Sequence, residues 1–219
     1  MTAPLPSIPS RQRRKEARPQ ELLDAALALF AEKGFAATRS EEVAAAAGVS
    51  KGTLYLYYPS KEELLKAVIR DRVSSEIQSG VDEVRQFTGT AAQVLREVLP
   101  AWWMRIFHSP GSAVFKLILT EVRNFPEIAE FYREQVVEPG SQLVAAVVQR
   151  GIDAGEFRPV DVEFAVHSLI LPMVMLCMHK HSLGACSPVP SLMEPHDFVY
   201  AHMDLVTRGL EIPGKADAA

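Results

Sequence analysis

The chain has 219 residues, 48% of them apolar and 23% charged, which is ample for one large or two small domains with a buried core. Its net charge of −4 is unevenly placed: residues 1–70 carry 11 Lys and Arg against 8 Asp and Glu, and the remainder 12 against 19. A basic first third on an acidic body points to a polyanion bound at one end, and the N-terminus, lacking an apolar h-region, excludes a secretory signal.

Residues 1–18 combine prolines with Arg11, Arg13, Arg14, Lys15 and Arg18, and read as a disordered basic arm able to add phosphate affinity. Helix 1 is expected to open at Pro19, whose missing N–H costs nothing in a first turn. Its apolar stripe is Leu22, Leu23, Ala26, Leu27 and Phe30, and Gly34 ends it, with Phe35 folding back on Phe30. Thr38 with Glu41 reads as a capping box opening helix 2, and Ser60 with Glu63 as another opening helix 4. Between them lies VAAAAGVSKGTLYLYYP, from Val43 to Pro59: two short helices joined by a turn at Gly48, a helix-turn-helix over residues 39–58. Ala44 allows close approach, and Val49, Leu54 and Tyr58 anchor the second helix. The outward face of that helix is expected to present Lys51, Thr53, Tyr55 and Tyr57, which suit phosphate oxygens and base edges. An ordinary αα-hairpin in a bundle has the same spacing.

Beyond residue 61 the pattern stays helical and shows no β alternation. Helices are expected near 61–79, 90–108, 111–124, 126–154, 159–183 and 195–210, with Pro139-Gly140 kinking or breaking the fourth of these and Pro172 the fifth. Residues 184–194 read as a loop and 213–219 as a disordered tail. The longest apolar run, Val162 to Met178, contains His167, Ser168 and Pro172, falls short of a membrane span, and reads as a buried central helix. Trp102, Trp103, Met104 and Phe107 share one helix; adjacent tryptophans cannot face the same way, so one should meet a second interior surface or a cavity. Cys177 and Cys186 form no zinc or CxxC pattern and fit a reducing cytoplasm. Cys177 and His181, four apart, lack a third ligand in register, so no metal is expected. Catalytic triad order, phosphate loop and zinc motif are all missing, which gives no reason to propose an enzyme or a cofactor.

The ordered string from Gly48 to Leu64, Gly-Val-Ser-x-Gly-Thr-Leu-Tyr-x-Tyr-Tyr-x-Ser-Lys-x-x-Leu, resembles the signature of the tetracycline-repressor (TetR/AcrR) family of transcriptional regulators, strongly from about Pro19 to Ala67. Ser40, where the family often has an apolar residue, and Tyr58, where it usually has Phe, depart from it. The resemblance implies an all-α protein of about nine helices. A three-helix DNA-binding domain at 19–65 is joined through helix 4 to a ligand-binding and dimerisation domain at 66–212. It implies DNA contacts from Arg39, Ser40, Ser50, Lys51, Thr53, Tyr55 and Tyr57, with Lys61 holding a phosphate. It implies an apolar pocket, for which Trp102, Trp103, Phe107, Phe115, His167 and Met175 are candidates. It puts the dimer contact on the last two long helices, with Phe164, Leu169, Phe198 and Leu205 as candidates. The partners implied are a double-stranded operator, a second copy and a small, mostly apolar effector, with no membrane. A helical carrier or interaction protein for an apolar molecule, and an activator or ligand-independent regulator with the same head, stand as alternatives.

Overall fold

The computed structural model describes residues 10–186 and 194–213, with side chains from Arg18 onward. Expectations for residues 1–9, the loop at 187–193 and the tail from residue 214 lie outside the described residues. Two compact units divide the chain, Met1–Val68 and Ile69–Ala219. Among the described residues there are nine helices, one four-residue helical turn at Leu183–Cys186, and no strand beyond a single bridge between Phe157 and Glu211.

The head holds α1 (Ser10–Lys33), α2 (Ser40–Ala46), α3 (Lys51–Tyr57) and the start of α4 (residues 61–86). Helix α1 begins nine residues before Pro19, which therefore sits inside it. The run from Arg11 to Arg18 consists of strong helix formers, and one proline removes only one ladder bond. The stripe Leu22, Leu23, Ala26, Leu27 and Phe30 is buried, and Gly34 N donates to Phe30 O at 3.0 Å. Phe35 meets Phe30 edge-on at 5.2 Å, as the sequence predicts. Thr38 does not cap α2. Its hydroxyl turns inward to Gly34 O (2.7 Å) and Leu29 O (3.3 Å), closing the end of α1 instead. The cap passes to Arg39, whose backbone N–H donates to Glu42 Oε2 at 2.9 Å. Ser60 does cap α4, its Oγ accepting from Glu63 N at 3.1 Å. The Glu63 carboxylate pairs with Lys66 at 2.9 Å.

In the turn between α2 and α3, Val49 N donates to Ala44 O (2.9 Å) and Gly48 N to Ala45 O (3.1 Å), a Schellman closure that holds Gly48 at φ +65°. A Cβ there would meet nothing within 4 Å, so the cost of a side chain is conformational alone.

The body comprises the rest of α4, α5 (residues 91–108), α6 (Ser112–Glu121), α7 (residues 126–153), α8 (Val162–Lys180) and α9 (Pro195–Leu210). Helix α8 packs on α6, α7 and α9, and α9 on α5. Helix α4 does not stop at Gly80 but runs to Gln86. Gly80 is buried against Trp102, where a Cβ would come within 2.7 Å of the indole nitrogen. Wider π turns occupy 70–74, 94–98 and 133–137; Pro100 and Pro139 each lie two residues past the end of the second and third, so the interruption expected at Pro139 is a widened turn within α7. Helix α8, by contrast, passes Pro172 without a break. Lacking an N–H, Pro172 leaves the Ser168 carbonyl free, and His202 Nε2 of α9 donates to it at 3.0 Å.

Helix α8 is long and apolar enough to cross a membrane by length and composition, which the sequence reading did not expect. Nor is it a buried central helix: 28% of its most apolar stretch is buried within the body. At its end, fully buried Ser112 donates to Ser109 O at 2.8 Å. Its one proton so spent, Ser112 Oγ accepts from His181 Nε2 (2.8 Å) and from Lys180 Nζ (3.3 Å). Burial, then Lys180 and Lys116, hold the His181 pKa below its ordinary value; burial likewise lowers that of Lys180.

Two outcomes follow from these arrangements. Gly48→Ala should cost roughly 1–2 kcal/mol in urea denaturation and Gly48→Asn less, because asparagine tolerates left-handed backbone. The His181 contribution to stability is complete above its unfolded pKa of about 6.5 and lost as pH falls below it, because the unfolded chain takes the proton more readily. Melting temperature from pH 7 to 5 should therefore fall less steeply in His181→Gln than in the parent.

Candidate nucleic-acid interface and body cavity

In the head, Ser50 caps α3: its Oγ accepts from Thr53 N at 3.1 Å and lies 2.9 Å from Thr53 Oγ1. With Leu54 fully buried beneath, the exposed residues of α3 are Lys51, Gly52, Tyr55 and Leu56, while Thr53 and Tyr57 sit half-buried at the flanks. The alternation Lys51, Thr53, Tyr55, Tyr57 therefore does not describe the outer face. A period of two belongs to strands, whereas 3.6 residues per turn brings 52, 55 and 56 together. Leu56, 80% exposed, is the residue missed by the sequence reading; its two-residue offset from the anchor Leu54, which puts it on the opposite side of a helix, was the available signal.

Lys51 Nζ pairs with Glu41 at 2.5 Å and lies 5.7 Å from the Tyr55 ring centroid. The pair shifts both groups toward their charged forms, Lys51 up and Glu41 down, chiefly through their mutual hydrogen bond. A polar groove of about 410 Å³ opens between the starts of α2 and α4, lined by Thr38, Arg39, Ser40, Tyr55, Ser60 and Lys61, with Glu41 and Glu62 also present. Ser40 is buried and contributes to this groove.

Lys61 turns inward. Its Nζ donates to Phe35 O (2.8 Å), Ala36 O (3.3 Å) and Thr38 O (3.0 Å), and sits 4.5 Å from the Phe35 ring centroid. All three N–H bonds of the ammonium are thus committed to the carbonyls beyond α1, and none is left for the phosphate expected of it.

The body encloses a separate cavity of about 210 Å³ bounded by α4 to α8. Of the pocket candidates, Trp102, Trp103 and Phe115 line it, joined by Val73, Tyr132 and Ile170. The two indoles meet edge-on at 5.0 Å, and Trp103 lies 6.3 Å from the Phe115 ring. Trp102 Nε1 donates to Glu76 O at 2.8 Å, whereas Trp103 Nε1 is buried with no partner. Burial raises the pKa of the Tyr132 phenol, which stays neutral.

The other pocket candidates lie elsewhere. Phe107 is buried beside Lys180, whose ammonium bonds the Phe107 carbonyl and lies 4.6 Å from its ring centroid. His167 and Met175 are on the exposed side of α8, where His167 Nδ1 bonds Glu163 O at 2.9 Å. Apolar residues occupy every side of α8, so sequence spacing could not tell its inner face from its outer one. For the same reason Leu169, a dimer candidate, is fully buried in the core. Phe164 (73% exposed) and Leu205 (71%) are accessible, and Phe198 is half-buried, stacked on His202 at 5.8 Å.

Cys177 is buried, which pushes its thiol up to about 12, and His181 is engaged with Ser112. Among the described residues no three His, Cys, Asp or Glu side chains converge as metal ligands. The Ser112–His181 pair joins α6 to the end of α8 and was not legible in the sequence. Ser112 is inaccessible and its proton is spent on Ser109, so the pair is a clasp rather than a nucleophile and its base.

Comparison with known proteins agrees with this arrangement. Residues 22–68 match the family profile described as "Bacterial regulatory proteins, tetR family", and residues 86–184 match "Tetracyclin repressor-like, C-terminal domain". The chain is 30% identical over 157 residues to the HTH-type transcriptional repressor KstR2 of Rhodococcus jostii, covering 71% of this chain and 76% of that protein. The crystal structure of the TetR family regulator PfmR of Thermus thermophilus superposes with a TM-score of 0.68 at 26% identity, covering 87% of this chain and 99% of that one. That of the regulator FadR of Bacillus subtilis, in complex with stearoyl-CoA, gives 0.70 at 18% identity over 88% and 99%. An all-helical chain with a helix-turn-helix head, matched to this family in both its units, belongs to the TetR family of transcriptional regulators.

Proposed function

We propose that the protein is a ligand-responsive repressor that binds a palindromic operator as a homodimer and is released by a small, mostly apolar effector. The observation that carries this reading is the presence on one chain of an exposed α3 face, Lys51, Tyr55 and Leu56, and an apolar cavity walled partly by α4. In the DNA-bound form Tyr55 and Leu56 meet base edges, Leu56 suiting a thymine methyl. Arg39, Ser40, Ser50, Lys51, Thr53 and Tyr57 serve the flanking phosphates. Lys61 supports the head from within. A carrier reading would leave the exposed α3 face without a use.

Dimerisation is supported by the uncovered apolar face of α8, Phe164, Leu171 and Met175, beside Leu205 of α9. A twofold pairing of these helices makes a four-helix interface with the same patch on both subunits. Two recognition helices can then reach successive major grooves about 34–36 Å apart. Helix α4 begins in the head and carries Val73 and Ile77 into the cavity wall, Val73 from within the π turn at 70–74 and Ile77 just beyond it. An effector that favours one setting of α4 therefore competes with DNA through conformational state.

An apolar effector is in keeping with two similar proteins. FadR was crystallised with stearoyl-CoA, and a related structure is named as a ketosteroid regulator, KstR2 of Mycobacterium tuberculosis. The cavity here, at about 210 Å³, is smaller than a long-chain acyl-CoA. Its occupant is correspondingly small, and the protein works in the cytoplasm, where operator DNA is.

Gel shift on DNA upstream of the protein's own gene tests the reading. Leu56→Ala should relax base preference and cost about 1 kcal/mol or more at its site, whereas Lys51→Ala should weaken all sequences alike and lower the salt slope by about one. Full binding by both variants would remove α3 from the interface. In sedimentation, Phe164→Asp and Leu205→Asp should each yield monomers that bind the operator poorly. Dimers retained in both would move the subunit contact elsewhere.

A further inference from the structure

We propose that the body cavity takes a hydrocarbon, a single ring with a short alkyl chain and no hydrogen-bonding group, and selects it by shape and dispersion alone. This deepens the effector reading above and rests on it.

Carbon makes up nearly all of the accessible cavity wall. The polar side chains along it are Trp102, Trp103, Tyr132 and Ser141, and their polar atoms add almost nothing to that surface. The Trp102 N–H is held by the Glu76 carbonyl at 2.8 Å, and the Trp103 nitrogen is buried out of reach. No Lys, Arg, His, Asp or Glu is part of the wall among the described residues. An oxygen or nitrogen carried in by a ligand would therefore give up its water without finding a partner, and a carboxylate would find no counter-ion. Methyl groups and ring carbons meet no such penalty and gain contact with the wall.

Volume sets the size. An apolar cavity of ~150 Å³ holds the six carbons of benzene, so the about 210 Å³ here has room for roughly eight or nine. Trp102, Trp103, Phe115 and Tyr132 put aromatic rings on the wall, which suits an aromatic guest through edge-on contacts. Leu119, Val137 and Leu171 line the cavity and are exposed to solvent, which gives such a molecule an apolar entrance. Gly140 of α7 leaves part of the space open: outside its own helix, a Cβ there would meet only Ile77 Cδ1, at 4.0 Å, and both residues belong to the wall.

Both tryptophans of the chain line the cavity, so the indole N–H signals of the ¹⁵N-labelled full-length protein report its occupancy. Ethylbenzene should shift them. Calorimetry should show binding tightening about fourfold for each carbon added from benzene through toluene to ethylbenzene, the worth of one buried methylene. Acetophenone, which keeps that skeleton and adds an oxygen, should bind at least about fivefold more weakly than ethylbenzene, and benzoate more weakly still. Gly140→Leu and Val174→Phe, which add side-chain volume at the wall, should each weaken ethylbenzene by about tenfold or more. The proposal fails if ethylbenzene moves neither signal, if affinity is flat across the three hydrocarbons, if acetophenone or benzoate binds as well as ethylbenzene, or if both filled variants bind it like the parent. Should neither variant fold, the ligand series on the parent protein decides. All measurements are made without DNA. Ethylbenzene bound in the cavity but unable to release the operator would sink the effector reading and keep this one, and release by benzoate with ethylbenzene unbound would do the reverse.

Discussion

The apolar circumference of α8 is the constraint on which the rest of the body depends. Ala165, Leu169, Met173 and Cys177 face the core and are buried; Ile170 and Val174, one flank over, line the cavity; Phe164, Leu171 and Met175 are left uncovered. A helix that is apolar all round must be covered all round in water. Three neighbouring helices, α6, α7 and α9, account for the core side, a small molecule can fill the flank, and a second copy of the chain covers the remainder under the dimer proposal. Leu171 belongs to both the cavity lining and the uncovered face, so filling the one and pairing the other are adjacent events.

This helix also carries the one backbone device that links it to α9. Pro172 deprives the Ser168 carbonyl of its ladder partner without breaking the helix, and His202 supplies the missing donor. Because a carbonyl only accepts, that bond fixes the His202 proton on Nε2. Phe198 stacks on the same ring at 5.8 Å, which holds it in place. The last helix is tied a second time through Arg96 of α5, which donates to Asp204 (2.9 Å) and to both oxygens of Glu211 (2.5 and 2.8 Å). A bidentate bond of this kind sets orientation as well as position. The two outer helices therefore present Phe164 and Leu205 on a framework fixed at several points.

The head was legible because its signals are local. Gly34, Gly48, Ser60 and Pro59 each act on residues within four positions of themselves, and the structure has the turns they imply. Reading went astray where a side chain had two uses: Thr38 could cap α2 or close α1, and Lys61 could meet a phosphate or three carbonyls more than twenty residues earlier. Those choices depend on contacts that spacing does not encode. Pro19 misled for another reason, since it is compatible with both a first turn and an interior one flanked by strong helix formers. In the body, aromatic clustering pointed to packing for Trp102, Trp103 and Phe115, and all three are buried on one cavity wall. His167, Met175 and Leu169 were misplaced because a helix without a polar face carries no phase.

The paired tryptophans show how that missing phase is recovered. Neighbours on a helix point about 100° apart, so Trp102 and Trp103 had to meet different surroundings even within one cavity. Trp102 reaches the α4 backbone at Glu76, one residue before Ile77 of the cavity wall, and rests on Gly80, where no side chain larger than hydrogen fits. Trp103 is left with an N–H and nothing in the protein to receive it. The first indole thus fixes the cavity wall to α4. The two rings meet edge-on at 5.0 Å, so the packing of Trp103 is tied to Trp102 and, through its N–H, to the Glu76 carbonyl. Adjacent positions on one helix thus have different roles in packing: Trp102 is held by α4 at its nitrogen, while Trp103 packs toward Phe115, 6.3 Å away on the cavity wall.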